Sequence, residues 1–179
     1  MDVVRDLMIH DIEILQQLLG TEPERVDAVG VEVLTDHVDI ANARLAFPGD
    51  CIANLTASRV SATSMRKFRL FQRDAYFSID FLAQKAMLFR RVPVATSFAQ
   101  RAEGEQGERS PSGVDKKIEM QALETDPEDA LAVQLDVFVS GVRRRSAEGL
   151  GGVTGAQAAA ALRTALRVID AMPEIDHLE

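Results

Sequence analysis

The sequence predicts an α+β fold, a predominantly antiparallel open sheet with helices packed on one face. Three observations predict it. The first twenty residues place apolar side chains at helical spacing. From Val26 to Leu123 the chain breaks into short runs that alternate with period two. After Asp126 the helical spacing returns. Strands that follow one another through short polar turns pair as an antiparallel meander, and not as the βαβ series of a parallel sheet.

Each element has its own signal. Residues 5–19 put Met8, Ile12, Leu15 and Leu19 on one helical face, and Gly20 is a natural stop. Glu22-Pro23-Glu24 turns the chain, and Val26 to Thr35, rich in β-branched residues, reads as a strand. Ala41, Ala43, Leu45 and Phe47 alternate with Asn42, Arg44 and Ala46. Pro48-Gly49-Asp50 supplies turn chemistry, and Cys51 to Ser61 is the returning strand of a hairpin. Lys67 to Arg73, Tyr76 to Phe81 and Lys85 to Arg91 follow as strands. Residues 99–115 hold almost no apolar side chains and read as an exposed loop within a single domain spanning 1–179.

Lys116 to Leu123 is the last strand. Asp126 and Pro127 open a helix to about Arg145, with Leu131, Leu135, Phe138 and Val142 as its buried stripe. Ser146 to Gly152 links it to a final helix, 155–171, capped by Thr154 and packed through Leu162, Leu166 and Ile169. If Phe68 and Leu70 point inward, Phe71, Phe77 and Ile79 are expected on the opposite face. An apolar face of that size implies a partner, and a second copy of the chain is the commonest one.

Composition narrows the function. With 179 residues, 46% hydrophobic and 27% charged, the chain is long enough for one domain with a real core. A net charge of −8 argues against a nucleic-acid partner, and Arg143-Arg144-Arg145 suits the negative end of a helix better than a phosphate. The lone Cys51 rules out an intramolecular disulfide, and nothing marks an oxidising compartment. No apolar run nears the ~20 residues of a membrane helix, and no N-terminal run has the form of a signal peptide. A cytoplasmic protein is expected.

Chemistry is suggested at the start of the chain. Asp6 and His10 stand four residues apart, so a regular α-helix would set them side by side. A carboxylate orients an imidazole and favours its protonated form, which suits a group that takes a proton from an alcohol and returns it. On spacing alone, a packed or capping histidine is the simpler reading. One His and one Asp are too few for zinc. Arg59, Arg66 and Lys67 stand where an anionic substrate would be met, or where strand ends carry solvated charge or an intra-sheet ion pair. Tyr76 reads as packing, and His37 and His177 as solvated.

Longer motifs change the balance. The run Asp6-Leu7-Met8-Ile9-His10-Asp11-Ile12-Glu13, closed by Leu18-Leu19-Gly20, resembles the C-terminal domain of Gfo/Idh/MocA-type oxidoreductases. The resemblance continues through Val29-Gly30-Val31, Ala46-Phe47-Pro48-Gly49 and Ala57-Ser58-Arg59-Val60-Ser61. It extends to Arg69-Leu70-Phe71, to Ala75-Tyr76-Phe77-Ser78-Ile79-Asp80 and to Phe138-Val139. It covers residues 3–90 closely and 116–172 loosely.

The resemblance implies NAD(P)-dependent oxidation of a sugar, cyclitol or nucleotide sugar. It implies His10 as general acid/base and Asp6 as its supporting carboxylate, and Arg59 is the candidate for an anionic substrate. NAD or NADP is the implied cofactor, not bound by this chain alone. No G-x-G-x-x-G follows a strand, Gly149-Leu150-Gly151-Gly152 reads as a linker, and the family's Glu-Lys-Pro segment and the strand before the Asp/His helix are missing. The expectation is the substrate-binding and oligomerisation part of a sugar or nucleotide-sugar dehydrogenase, inactive by itself. It would form a homodimer or homotetramer through the open sheet face. The alternatives are a non-enzymatic oligomeric sheet module and a sugar-binding protein derived from that family.

Overall fold

The computed structural model describes residues 1–93, 116–125, 128–145 and 152–173. The anticipated loop at 99–115, the Asp126-Pro127 cap, the linker at 146–151 and His177 lie outside the described residues. A π-turn at Val4–Met8 leads into α1 (Ile9–Leu19). Among the described residues seven strands follow: β1 (Arg25–Val31), β2 (Ile40–Phe47), β3 (Cys51–Ser58), β4 (Lys67–Phe71), β5 (Ala75–Asp80), β6 (Lys85–Pro93) and β7 (Lys116–Leu123). Then come α2 (Ala130–Arg144) and α3 (Gly155–Asp170). Every strand pairing is antiparallel, as the meander pattern requires. The strands divide into a three-stranded sheet, β1-β2-β3, and a four-stranded sheet, β4-β5-β6-β7. Two compact units result, Met1–Ala62 with Ala130–Glu179, and Thr63–Asp129.

The first unit is built on the alternation in β2. Ala41, Ala43, Leu45 and Phe47 are buried, while Asn42 and Arg44 on the opposite face are exposed. Ala43 lies between Ala28 of β1 and Leu55 of β3, so small and large side chains interleave on the inner face. On the outer face Thr56 donates to the Asn42 amide oxygen at 2.7 Å and Arg44 to that of Asn54 at 3.3 Å. The helices supply the other half of the core. Met8 and Ile12 are fully buried and Leu15 nearly so, and Gly20 ends α1 in the left-handed region at φ 67°.

Helix α3 packs against α1, the π-turn and β1, and the π-turn also packs against β3. Thr154 caps α3 reciprocally with Gln157: its hydroxyl accepts the Gln157 N–H at 3.3 Å, and its own N–H donates to Gln157 Oε1 at 2.8 Å. The buried side chains of α3 are Ala161, Thr164, Ala165 and Val168; Leu162 and Leu166, expected to pack, are each 43% exposed. Small residues let the two helices approach closely enough for Gln16 Nε2 to donate to Thr164 Oγ1 at 2.6 Å. Arg167 then donates to the carbonyls of Pro23 at 2.7 Å and Glu24 at 3.1 Å, which fixes the turn between α1 and β1.

Two further expectations are corrected in this unit. Strand β1 ends at Val31, not at Thr35, because the N–H groups of residues 33–35 turn to the carboxylate of Asp39. In α2 the residues expected to be buried, Leu131, Leu135, Phe138 and Val142, are 64%, 55%, 67% and 62% exposed. Periodicity shows which side chains share a helix face, but not whether the chain has a surface to set against it.

In the second unit the register pairs Phe68 with Ile79 and Leu70 with Phe77. Directly opposed residues share a face, so Phe77 and Ile79 lie with Phe68 and Leu70, contrary to the expectation. The other face carries Phe71, Tyr76 and Phe89, stacked with centroids 4.5 and 5.0 Å apart, next to Met120 opposite Phe89. Tyr76 is thus a packing residue. Lys67 forms an intra-sheet ion pair with Asp80 at 3.6 Å, and the Arg66 guanidinium lies over the Phe81 ring at 5.2 Å.

Of the described glycines, Gly30 has the tightest surroundings. A Cβ there would come 2.5 Å from the Met172 sulfur and 2.7 Å from Cγ1 of Val38. Gly30→Ala is expected to destabilise the chain by about 1–3 kcal/mol, read as a lower urea midpoint with an unchanged slope. Unchanged stability would mean that this contact is loose.

Candidate functional site

The candidate residues gather where the start of the first helix meets the end of β3. The π-turn determines their geometry. The Ile9 N–H bonds to the carbonyl of Val4, five residues back, so this turn is wound more loosely than an α-helix. Four residues then no longer return a side chain to the same azimuth, and Asp6 does not pair with His10. The Asp6 carboxylate accepts instead from the Arg59 guanidinium at 2.8 Å. The same Arg59 nitrogen also donates to the Asp2 carbonyl at 3.3 Å. His10 is exposed and, among the described residues, has no hydrogen-bond partner. Its imidazole is therefore open to a ligand at both ring nitrogens.

Two carboxylates not singled out in the sequence hold this corner. Asp2 is buried, and its carboxylate accepts from the Arg5 N–H at 2.9 Å and from Arg5 Nε at 2.5 Å. Burial pushes its pKa up, but the bonds from the Arg5 backbone and side chain outweigh this and hold it below the usual carboxylate value. Asp39 is 1% exposed and stands at the entry to β2. Its Oδ2 accepts from the N–H groups of Leu34, Thr35 and Val33 at 2.7, 2.9 and 3.1 Å, and its Oδ1 from the Thr35 hydroxyl at 3.0 Å. The N–H groups of Leu34 and Val33 do most to lower its pKa to about 2, against the opposing effect of burial. The sequence signal was available: a polar cluster, Thr35-Asp36-His37, between two apolar runs, ending in an Asp able to bond its own loop.

One cleft lies away from this corner. A cleft of about 450 Å³ at the end of α1 and the start of α3 is lined by Glu13, Gln16, Gln17, Thr21 and Gln157, and not by Asp6, His10 or Arg59. No pyrophosphate cradle exists among the described residues. Gly20 and Gly49, the glycines with positive φ, end a helix and turn a hairpin, and the space above Gly30 is filled by Met172 and Val38. Among the described residues no cluster of three or more His, Cys, Asp or Glu could hold a metal ion, and no helix is long and apolar enough to cross a membrane.

Comparison with known proteins matches residues 2–77 to the GFO/IDH/MocA C-terminal domain. Over those residues the chain is similar to that domain. It is 34% identical over 160 residues to a UDP-N-acetylglucosamine 3-dehydrogenase of Acidithiobacillus ferrooxidans, an alignment covering 89% of this chain and 46% of that enzyme. A solved structure of that organism's UDP-N-acetylglucosamine 3-dehydrogenase superposes with a TM-score of 0.74 at 30% identity, over 96% of this chain and 47% of that one. A levoglucosan dehydrogenase solved with NADH and L-sorbose has the same fold, with a TM-score of 0.64 at 13% identity over 94% of this chain and 47% of the other. The chain thus spans about half the length of these relatives.

The Asp39 site predicts an acid limit to stability. Its pKa is lowered in the folded state, from 3.8 to about 2. Its stabilising contribution is therefore full above about pH 4 and is lost as the pH falls through 2. Asp39→Asn is expected to be less stable than the parent at pH 7, with the gap closing toward pH 2. Urea unfolding at pH 7, 4 and 2 measures it, and a gap that does not change with pH would contradict the assignment. By contrast, Arg59→Ala is expected to cost no more than about 1 kcal/mol, because its ion pair with Asp6 is partly exposed.

Proposed function

We propose that this chain is the substrate-binding part of an NAD(P)-linked dehydrogenase that acts on a nucleotide sugar, of the UDP-N-acetylhexosamine class. One observation carries the reading. The Arg59–Asp6 pair and the unengaged His10 share the corner between the first helix and β3, inside the region similar to this oxidoreductase family. The name of the A. ferrooxidans relative supplies the substrate class.

Each residue then has a role. His10 accepts the proton of the hydroxyl being oxidised and returns it in the reverse direction, since a neutral imidazole has one nitrogen ready to accept. Asp6 holds Arg59 and presents its second oxygen to a substrate hydroxyl. Arg59 keeps guanidinium N–H groups beyond its bond to Asp6, which suit a phosphate or carboxylate of the substrate. The described residues handle the proton and the sugar. The nicotinamide nucleotide finds no cradle among them.

The same reading gives the outer face of the four-stranded sheet a use. Phe71, one ring of the Phe71–Tyr76–Phe89 stack, and Ile118 and Met120 of the neighbouring β7 are 75%, 74% and 67% exposed. We assign this face to self-association in a homodimer or homotetramer, in the cytoplasm.

Calorimetric titration tests the site. UDP-N-acetylglucosamine is expected to bind the parent chain, Arg59→Ala to weaken binding about tenfold, and His10→Ala to change it little, because proton transfer is felt in the transition state. Absence of binding by the parent would overturn the substrate class. Sedimentation tests the interface: Phe71→Arg is expected to shift the chain toward monomer, and a monomeric parent at all concentrations would overturn it.

A further inference from the structure

Asp39 is a fully buried carboxylate that proton transfer does not use, yet the site depends on the chain segments it joins. The Asp39 N–H donates to the Val31 carbonyl at 2.9 Å, and the Arg59 N–H donates to the Asp39 carbonyl at 3.0 Å. One residue earlier, the Val38 carbonyl accepts the N–H of Val3 at 2.9 Å. Residues 38 and 39 therefore hold the end of β1, the end of β3 and the beginning of the first helix. Those last two segments carry Arg59 on one side and Asp2, Asp6 and His10 on the other.

The carboxylate is what makes this joint rigid. Without it, residues 32–38 would be a loop of exposed side chains with no packing of their own apart from Val38. With it, three N–H groups and a hydroxyl converge on one side chain, and the loop is closed on itself. The carbonyls of Val38 and Asp39 are thereby fixed in direction, and through them the backbones that present Arg59 and the first helix.

We propose that Asp39 is the positioning residue of this site: by clamping the 33–35 backbone it sets the Arg59 and Val3 attachments, and so the Arg59–Asp6 pair that meets the substrate. The proposal rests on reading Asp6, His10 and Arg59 as the substrate site, but its central claim concerns the free chain. A residue that only stabilises the unit would weaken every element of it alike. A positioning residue acts first on the two attachments it controls.

Amide hydrogen exchange of the full chain without ligand separates these cases. Asp39→Asn is expected to lower protection of the Arg59 and Val3 amides about tenfold more than that of the α3 amides. Thr35→Val, which removes the hydroxyl and its bonds to Asp39 and His37 but leaves the three N–H donors, is expected to move the same two amides less. Thr154→Ala, which deletes the α3 cap, serves as the control that destabilises without touching the joint. Loss spread evenly over α1, β2 and α3, or no change at Arg59 and Val3, would overturn the proposal.

A double-mutant cycle on UDP-N-acetylglucosamine affinity then tests the link to the site. Asp39→Asn is expected to weaken binding about tenfold in the parent and to have no further effect in Arg59→Ala. Additive losses would overturn the claim that Asp39 acts through Arg59. If the parent does not bind the nucleotide sugar, the substrate assignment fails, and the exchange measurement still decides the role of Asp39.

Discussion

Among the described residues of the first unit, the carboxylate of Asp39 takes in more of the local backbone than any other side chain. It ends β1 one residue after Gly30, which meets Met172 just past α3, and it starts β2 in the register that buries Ala41, Ala43, Leu45 and Phe47. A buried carboxylate is stable only when its oxygens are fully engaged by donors, and here the donors come from the loop it closes. The helix start, the strand end and the Arg59–Asp6 pair inherit their positions from that closure. A single charged group thus converts a stretch of polar chain into a fixed corner.

Much of the fold was legible because strand and helix periods are local. The hairpin at Pro48-Gly49-Asp50, the Gly20 stop and the Thr154 cap each follow from two or three residues, and the structure has all three. What was not legible depends on partners distant in sequence. Periodicity could not show that Leu162 and Leu166 of α3 yield the helix contact to Ala161 and Ala165. It could not show that β4 and β5 pair Leu70 with Phe77. The stripe of α2 is a third case, an apolar pattern that stays exposed among the described residues.

The sequence names the residues of the candidate site but not their geometry. Asp6, His10 and Arg59 stand in one corner, but the pairing expected between Asp6 and His10 assumes 3.6 residues per turn. A π-turn breaks that assumption, and nothing in the spacing of the sequence announces it. The carboxylate is turned to a guanidinium from another element, which leaves the imidazole unengaged. Asp2 and Asp39, which hold the corner, bond largely to backbone groups, which leave no mark in composition; only Asp39 has a signal in the sequence, the polar cluster Thr35-Asp36-His37 before it.

The aromatic stack on the four-stranded sheet has a practical consequence. The chain has no tryptophan and a single tyrosine, Tyr76, held between Phe71 and Phe89 in the second unit. Its tyrosine emission therefore comes from that unit alone, whereas the helical circular dichroism of the described residues comes from α1, α2 and α3 in the other. Nature has placed one spectroscopic reporter in each half. A melt followed in both signals reports whether the halves come apart together or in turn, without any label being introduced.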